Sequence, residues 1–407
     1  MQGSDRQRRV RRAHGGSLAG TNLERAGDYN QRVTLQAIRV NGPITRVDLA
    51  HLTGLTTPAI ANITNRLLNE NLILEVGKLQ GRRGQPAMRL AINPDGCFSV
   101  GVNIDRDHVT LVVLDFLGNV RARAAEEIDF ALPNDVVAFA RKSIDGIFKS
   151  RTLPRDRIIG TGIALPDDLG RIDLPHRPST YSVWQTVDVN RLFADVLPQP
   201  VFVENDAAAA AIGELQFGHG LRSPSFFYIL ISAALGGGLV IDGNYFRGAD
   251  GRSGEIGFLP LRTRRGNQVH SLQQVVSLSA LYEQLAQAGH KVTRPEQLGA
   301  LSTAGKGAVT AWLDDAADYL TDPLIAVSCL VNPKAVFIGG RLPSDLVDRL
   351  ADHLNQRLRK RAGDVPAIAP VLRAAMAADA PAIGAAILPF NELLLPSRAA
   401  LMKAALD

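Results

Sequence analysis

Thr56, Thr57, Ala61, Asn62 and Asn65 lie within one ten-residue stretch. Their side chains are small, hydroxylic or amide, the types that approach base edges in a DNA major groove and exchange hydrogen bonds there. A second set is Arg82 and Arg83, held between glycines in Gly77-Lys78-Leu79-Gln80-Gly81-Arg82-Arg83-Gly84-Gln85-Pro86. With little backbone bulk beside them, such guanidinium groups can lie in a minor groove or on phosphate. A third set is the pair Asn205-Asp206, which follows the apolar run Val201–Val203, with Glu255 further on in Gly254-Glu255-Ile256-Gly257. Taken singly, an Asn-Asp pair after a strand reads as a helix N-cap, and a loop glutamate as a solvated carboxylate. Phosphoryl transfer asks for more, a base beside a hydroxyl and backbone donors around phosphate.

The first two sets need a scaffold, and residues 30–95 supply its pattern. Leu35, Ile38 and Val40 predict a helix within Arg32–Asn41, ended by Asn41-Gly42-Pro43. Thr45-Arg46-Val47-Asp48 has capping-box spacing and predicts a short helix to Thr53, after which Gly54 allows a tight turn. Thr56 or Thr57 caps the next helix, with Pro58 in its first turn. Ile60, Ile63 and Leu67 should then face inward and leave the polar set outward. The runs Leu72–Val76 and Met88–Ile92 flank the basic tip as a hairpin, completing a winged helix-turn-helix. The alternative is a three-helix core with a solvated basic loop, serving as a protein-interaction or dimerisation module.

Residues 1–29 lack apolar periodicity and are expected to form a disordered basic arm. After the turn signal Asn93-Pro94-Asp95-Gly96, the pattern becomes strands alternating with helices. Beta-type runs fall at Phe98–Ile104, Thr110–Asp115, Ile158–Ile163, Val201–Val203, Phe226–Ile231, Gly238–Ile241 and Ala335–Ile338. The fold class is therefore α/β.

Composition supports this division. A chain of 407 residues with 46% hydrophobic content can bury a large core in two or three domains. The net charge of +5 is unevenly placed: residues 1–96 carry 14 Lys and Arg against 7 Asp and Glu, leaving the remainder slightly acidic. That suits one module that meets polyphosphate and another that does not. Cys97 and Cys329 stand far apart, so neither a disulfide framework nor a cysteine zinc site is expected. No run of eighteen apolar residues occurs, and a cytoplasmic protein with no membrane partner is expected.

Several of these motifs together resemble the ROK family (repressors, open reading frames, kinases), and in particular its regulator branch. The resemblance runs from about Asn30 to Ala386. It rests on Arg46-Val47-Asp48-Leu49-Ala50 to Gly54-Leu55-Thr56, Gly81–Ala87, Gly162-Ile163-Ala164-Leu165-Pro166 and Trp184. Further support comes from Pro200–Ala207, Leu235-Gly236-Gly237-Gly238, Gly254–Gly257 and Ile338-Gly339-Gly340. It implies an actin-like ATPase fold, sugar-kinase-like and ribonuclease H-like, with two lobes and a ligand cleft between them. Under it, Asp206 matches the catalytic aspartate, Asn205 and Glu255 match sugar ligands, and Asp379–Ala386 resembles the closing motif.

The chain departs from the kinase pattern where phosphate would sit. Kinases of this family open with Asp-x-Gly-Gly-Thr, where this chain has Asn103-Ile104-Asp105-Arg106-Asp107-His108. The second loop, usually Gly-Thr-Gly-Ile-Gly-Gly-Gly, is Ser232-Ala233-Ala234-Leu235-Gly236-Gly237-Gly238. Side chains replace backbone donors, so no catalysis and no nucleotide cofactor are expected. The family's zinc site is also lost: Phe258 stands for its histidine, and Arg264, Gly266 and Ser271 for its thiolates. Phe258 and Gln273, in place of histidine and glutamate, make an aromatic face and a neutral amide that bear on which sugar fits.

The expectation is a sugar-responsive repressor of carbohydrate genes. It comprises a basic arm (1–29), a DNA-binding domain (30–95), a ligand-sensing domain (96–396) and a C-terminal helix (397–407). It would act on double-stranded operator DNA as a homodimer or tetramer, with no metal or cofactor. The helix Ser397–Ala405 is expected to couple ligand to DNA. Two other readings compete, an active sugar kinase with a DNA-binding appendage and a ligand-independent DNA-binding protein.

Overall fold

The computed structural model describes residues 23–78, 87–149, 153–171, 177–262, 269–376 and 379–397. The chain divides into two compact units. The first contains α1 (Leu23–Asn41), β1 (Ile44–Thr45), α2 (Arg46–Thr53), α3 (Thr57–Asn69), β2 (Ile73–Lys78) and β3 (Met88–Ile92). Its strands form an antiparallel sheet in the order β1-β3-β2. Leu35, Ile38, Leu49, Ile60, Leu67, Leu72, Ile73 and Leu90 are buried in it.

Local chemistry sets the helix boundaries in this unit. The Thr45 hydroxyl accepts from the Asp48 amide at 3.2 Å, and Thr56 accepts from the Ala59 amide at 3.4 Å. Between the two helices Gly54 adopts φ +70°, a left-handed conformation that a side chain would strain, and its N–H closes onto the Ala50 carbonyl.

Two expectations need correcting here. The first helix begins at Leu23, so residues 23–29 are helical and not an irregular arm. Polar contacts account for it: Gln31 Nε2 donates to Glu70 at 3.1 Å, and Asp28 lies 4.0 Å from Arg66, tying α1 to α3 without apolar spacing. In α3 the inward set is Ile60, Thr64 and Leu67, with Ile63 only half-buried. Thr64 is satisfied inside because its hydroxyl accepts from Arg46 Nε at 2.9 Å and donates to the Ala61 carbonyl at 3.2 Å.

The second unit begins with β4 (Phe98–Ile104), β5 (His108–Asp115), β6 (Val120–Glu127), α4 (Pro133–Lys149), β7 (Ile158–Leu165), α5 (Val189–Leu192) and β8 (Val201–Asn205). These strands form a five-stranded sheet in the order β6-β5-β4-β7-β8. Next come α6 (Asp206–Phe217), β9 (Phe226–Ile231), β10 (Leu235–Ile241), β11 (Asn244–Tyr245), β12 (Pro260–Arg262) and β13 (Val269–Ser271). The unit ends with α7 (Leu278–Gln287), α8 (Thr303–Val331), β14 (Ala335–Gly340), α9 (Ser344–Lys360), β15 (Val371–Arg373) and α10 (Ala380–Leu393). Its second sheet has the order β11-β10-β9-β14-β15, with β14 parallel to both neighbours and β10 antiparallel to β9. Two α/β lobes result.

Every residue of β4 and β5 is buried, as expected of strands covered on both faces. Helix α10 lies so close to the first sheet that a Cβ on Gly162 would fall 1.8 Å from the Ala385 carbonyl oxygen. In the second lobe Ile229, Trp312, Leu320, Val336 and Leu350 belong to one apolar cluster.

The first unit also takes in the turn Asp115–Asn119 and the chain from Pro389. Arg82 and Arg83, residues 264 and 266, and residues 398–405 of the expected C-terminal helix lie outside the described residues. Among those described, Cys97 and Cys329 are free, and no helix is long and apolar enough to cross a membrane.

Candidate functional site

Asn205 and Asp206 stand where β8 passes into α6. The Asn205 side-chain oxygen accepts from the Ala207 and Ala208 amides at 2.9 and 3.0 Å, so it does cap the helix as its sequence position suggests. That use leaves its NH2 group for a ligand. Asp206 opens the helix and is 7% exposed, with Oδ1 accepting from the Ala207 amide at 2.8 Å. Burial, reinforced by the Asp105 charge and opposed by Arg106, pushes the Asp206 carboxyl up to about 7.

Glu255, Phe258 and Gln273 line the same cleft as Asn205 and Asp206, although they lie up to 68 positions further along the chain. Glu255 precedes a short 3₁₀ turn that ends at Phe258, and Gln273 sits in another just after β13. Phe258 is 46% exposed, an aromatic face open to the cleft. Five residues selected from the sequence thus converge on one cavity.

The cavity has further walls that the sequence did not single out as ligand groups. Arg252 Nη2 lies 2.7 Å from Asp168 and 3.0 Å from Glu255, which fixes the Glu255 carboxylate. Asp167, also lining the cleft, is raised to about 6 by burial and by Glu255, with Arg252 opposing. Arginines that pair with distant acids leave no local periodicity to read.

The turns between β4 and β5 and between β9 and β10 carry buried side chains. Arg106, in the turn between β4 and β5, is 5% exposed and lines the cleft. Its amide donates to Asp105 Oδ1 at 2.7 Å, and its Nη1 lies 3.3 Å from the same oxygen. The other Asp105 oxygen accepts from the Ser232 hydroxyl in the turn between β9 and β10. The two turns are therefore bonded to each other through a buried carboxylate.

A second link lies one residue on. Arg341, just after β14, places Nη1 2.9 Å from Asp107 and Nη2 2.6 Å from Glu127. His108 Nδ1 is 2.6 Å from the other Asp107 oxygen. Burial alone would raise Asp107, but the His108 hydrogen bond and charge, with Arg341, hold it below the usual carboxylate range. Burial likewise disfavours charged His108, and the Asp107 bond overcomes it, raising the imidazole above its ordinary value. Ligand atoms of Asp105, Asp107 and His108 gather within 4.8 Å of one another, yet both carboxylates are already paired to arginines. The arrangement is an ion-pair network joining the two lobes.

In the first unit, Thr57, Asn62 and Asn65 are exposed along α3, and Ala61 is half-buried. Thr56 spends its hydroxyl oxygen on the cap. The Asn65 side-chain oxygen lies 3.5 Å from Arg46 Nη2, which restrains its amide.

Comparison with known proteins places this geometry. The chain is 25% identical over 365 residues to a xylose repressor of Bacillus spizizenii, covering 87% of this chain and 93% of that protein. Over part of its length, 53% of this chain and 54% of the relative, it is 25% identical to the DNA-binding transcriptional repressor Mlc of Escherichia coli. A crystal structure of a ROK family transcriptional regulator, a homologue of the E. coli protein, matches with TM-score 0.69 and 25% identity, covering 91% of this chain and 98% of that one. The ROK hexokinase of Thermus thermophilus matches with TM-score 0.54 at 24% identity over 73% of this chain and 99% of its own, a likeness of fold. The two-lobed unit is accordingly the actin-like, sugar-kinase-type fold. The ROK family model matches residues 99–391, and the chain belongs to the ROK family.

Proposed function

We propose that the protein is a sugar-responsive transcription regulator, acting as a repressor of carbohydrate genes. The observation that carries this reading is the buried Asp105-Arg106 pair bonded to Ser232, which puts side chains where a kinase needs open backbone donors. In this reading the cleft does not take polyphosphate, and its ligand groups act as a sensor. In this reading Asn205, Asp206, Glu255, Phe258 and Gln273 bind the effector, with Asp206 an acceptor and not a base. The names of the repressor relatives support sugar control without fixing the effector.

Residues 30–95 serve as a winged helix-turn-helix and residues 96–396 as the sensing domain. Helix α3 enters the major groove, with Thr56, Thr57, Ala61, Asn62 and Asn65 on its reading side, and Arg82 and Arg83 in the wing contact minor groove or phosphate. A homodimer or tetramer would present two such helices to a palindromic operator. Effector binding closes the cleft and shifts the population away from the DNA-competent state.

One observation favours a kinase. An Asp206 carboxyl titrating near neutrality suits a general base. Sugar-dependent ATP turnover, measured over a sugar panel with wild type and Asp206→Asn, separates the two. The regulator reading expects no turnover above the Asp206→Asn background, and turnover lost in that variant would overturn it.

A further inference from the structure

Arg46 opens α2 and reaches two further elements of the first unit with one guanidinium group. Its Nε donates to the Thr64 hydroxyl in α3 at 2.9 Å, and its Nη1 and Nη2 lie 3.5 and 3.4 Å from Glu75 Oε1 in β2. Thr64 is fully buried, so this bond fixes the direction of the arginine side chain. The next residue on α3 is the exposed Asn65, whose Oδ1 lies 3.5 Å from Arg46 Nη2. A guanidinium has five donors and no acceptor, so the Asn65 amide can turn only its oxygen to Arg46, and its NH2 group is turned away. Resting on the DNA-reading function proposed above, we infer that Arg46 is a positioning residue: it holds Asn65 with the NH2 group presented to the major groove, so that this position selects guanine.

The chemistry of base edges gives that orientation its meaning. An unrestrained asparagine turns both ends of its amide to adenine, accepting from N6 and donating to N7. Here the oxygen faces a cation, and the NH2 hydrogens find two acceptors, O6 and N7, on the guanine edge. Cytosine offers that NH2 group only another donor. Arg46 does not itself serve as a phosphate contact in this assignment, since Thr64 and Glu75 hold its guanidinium and its side chain is only 27% exposed.

Selection of a randomised DNA duplex library by the full chain, with sequencing of the retained duplexes, tests this. Wild type, Asn65→Ala, Arg46→Met and Arg46→Lys are compared, each with its melting temperature, and Arg46→Lys carries the test if Arg46→Met does not fold. Lysine keeps a charge for Glu75 but has a single head, which cannot hold Thr64 and stand beside Asn65 together. One hydrogen bond corresponds to about 2- to 10-fold in affinity, so wild type should favour guanine over adenine by about that ratio at one position of the selected site. Asn65→Ala and the folded Arg46 variants should lose that preference at the same position and keep selection elsewhere. A merely structural arginine would weaken selection at every position, and one that touches phosphate would lower the salt slope of binding by about one when replaced by methionine. Either result overturns the assignment, as does adenine at the position that Asn65→Ala alters, or guanine preference retained by a folded Arg46 variant. A wild type that enriches no sequence overturns the DNA-reading function itself, and the assignment falls with it.

Discussion

Phe116 and Phe390 meet edge to face, ring centroids 5.1 Å apart and planes at 67°. Phe116 follows the last residue of β5, and Phe390 lies in the last turns of α10, so the ends of these two elements meet within the first unit. Arg39 of α1 stands over the Phe116 ring at 5.9 Å, and Arg32 Nη1 donates to the Glu392 carbonyl at 2.8 Å. The other end of β5 is His108, in the ion-pair network with Asp107 and Arg341. Under the proposed function, β5 and α10 are the elements expected to carry coupling between ligand and DNA.

Phe390→Ala is expected to weaken the effect of ligand on DNA affinity while leaving DNA binding itself largely intact. Truncating a buried phenylalanine costs about 3–5 kcal/mol at most, so folding should be checked by melting. Operator or genomic-DNA release, titrated with sugar, is the readout. A full ligand response in a folded Phe390→Ala protein would remove this route.

Arg341→Met should destabilise the protein by about 3–5 kcal/mol, because it leaves the Asp107 and Glu127 carboxylates without their shared cation. Glu127→Gln, which removes the more exposed partner, should cost less. Thermal melts at fixed salt check the order, and equal effects would deny Arg341 its bridging role.

The Asp107–His108 pair predicts a pH window. His108 has a raised folded value, so its contribution is complete below the ordinary 6.5 and is lost as pH rises through that raised value. Asp107 is depressed, so its contribution is present above the ordinary 3.8 and lost as pH falls. The pair therefore helps most between these limits. His108→Gln should melt lower than wild type at pH 5.5 and approach it at alkaline pH, and a gap that widens with pH would contradict the assignment.

Asp206 has the opposite sign. Its folded value near 7 means the folded chain holds a proton that the unfolded chain releases above 3.8, so stability falls as pH rises between the two. Asp206→Asn should raise stability at pH 8 by on the order of 1–3 kcal/mol, with the gain fading towards pH 4. Melting curves across that range decide it, and a variant less stable than wild type at pH 8 would show that the carboxylate is already compensated.

The sequence carried the cleft of the second unit further than it carried the helices of the first. Asn205, Asp206, Glu255, Phe258 and Gln273 were legible because each lies in a short motif whose neighbours fix its direction, such as the apolar strand before Asn205. Arg106 was legible only as bulk at a loop. Its burial, its pairing with Asp105 and the bond from Ser232 depend on a turn 127 positions away. Residues 23–29 were hidden because Asp28 and Gln31 anchor α1 by polar contacts, which leave no apolar period. Thr64 displaced Ile63 from the core for a similar reason, since the Arg46 side chain supplies the partner that lets a hydroxyl be buried.

Capture of sheared genomic DNA by the purified full chain at near-physiological salt tests whether the N-terminal unit reads specific DNA. Non-specific contacts weaken steeply at that salt, whereas specific sites survive. Discrete palindromic sites beside sugar transport or catabolism genes are expected, with recovery reduced by Asn62→Ala through loss of about 1–3 kcal/mol of base contact. Uniform weak recovery, the same for wild type and Asn62→Ala, would contradict specific reading.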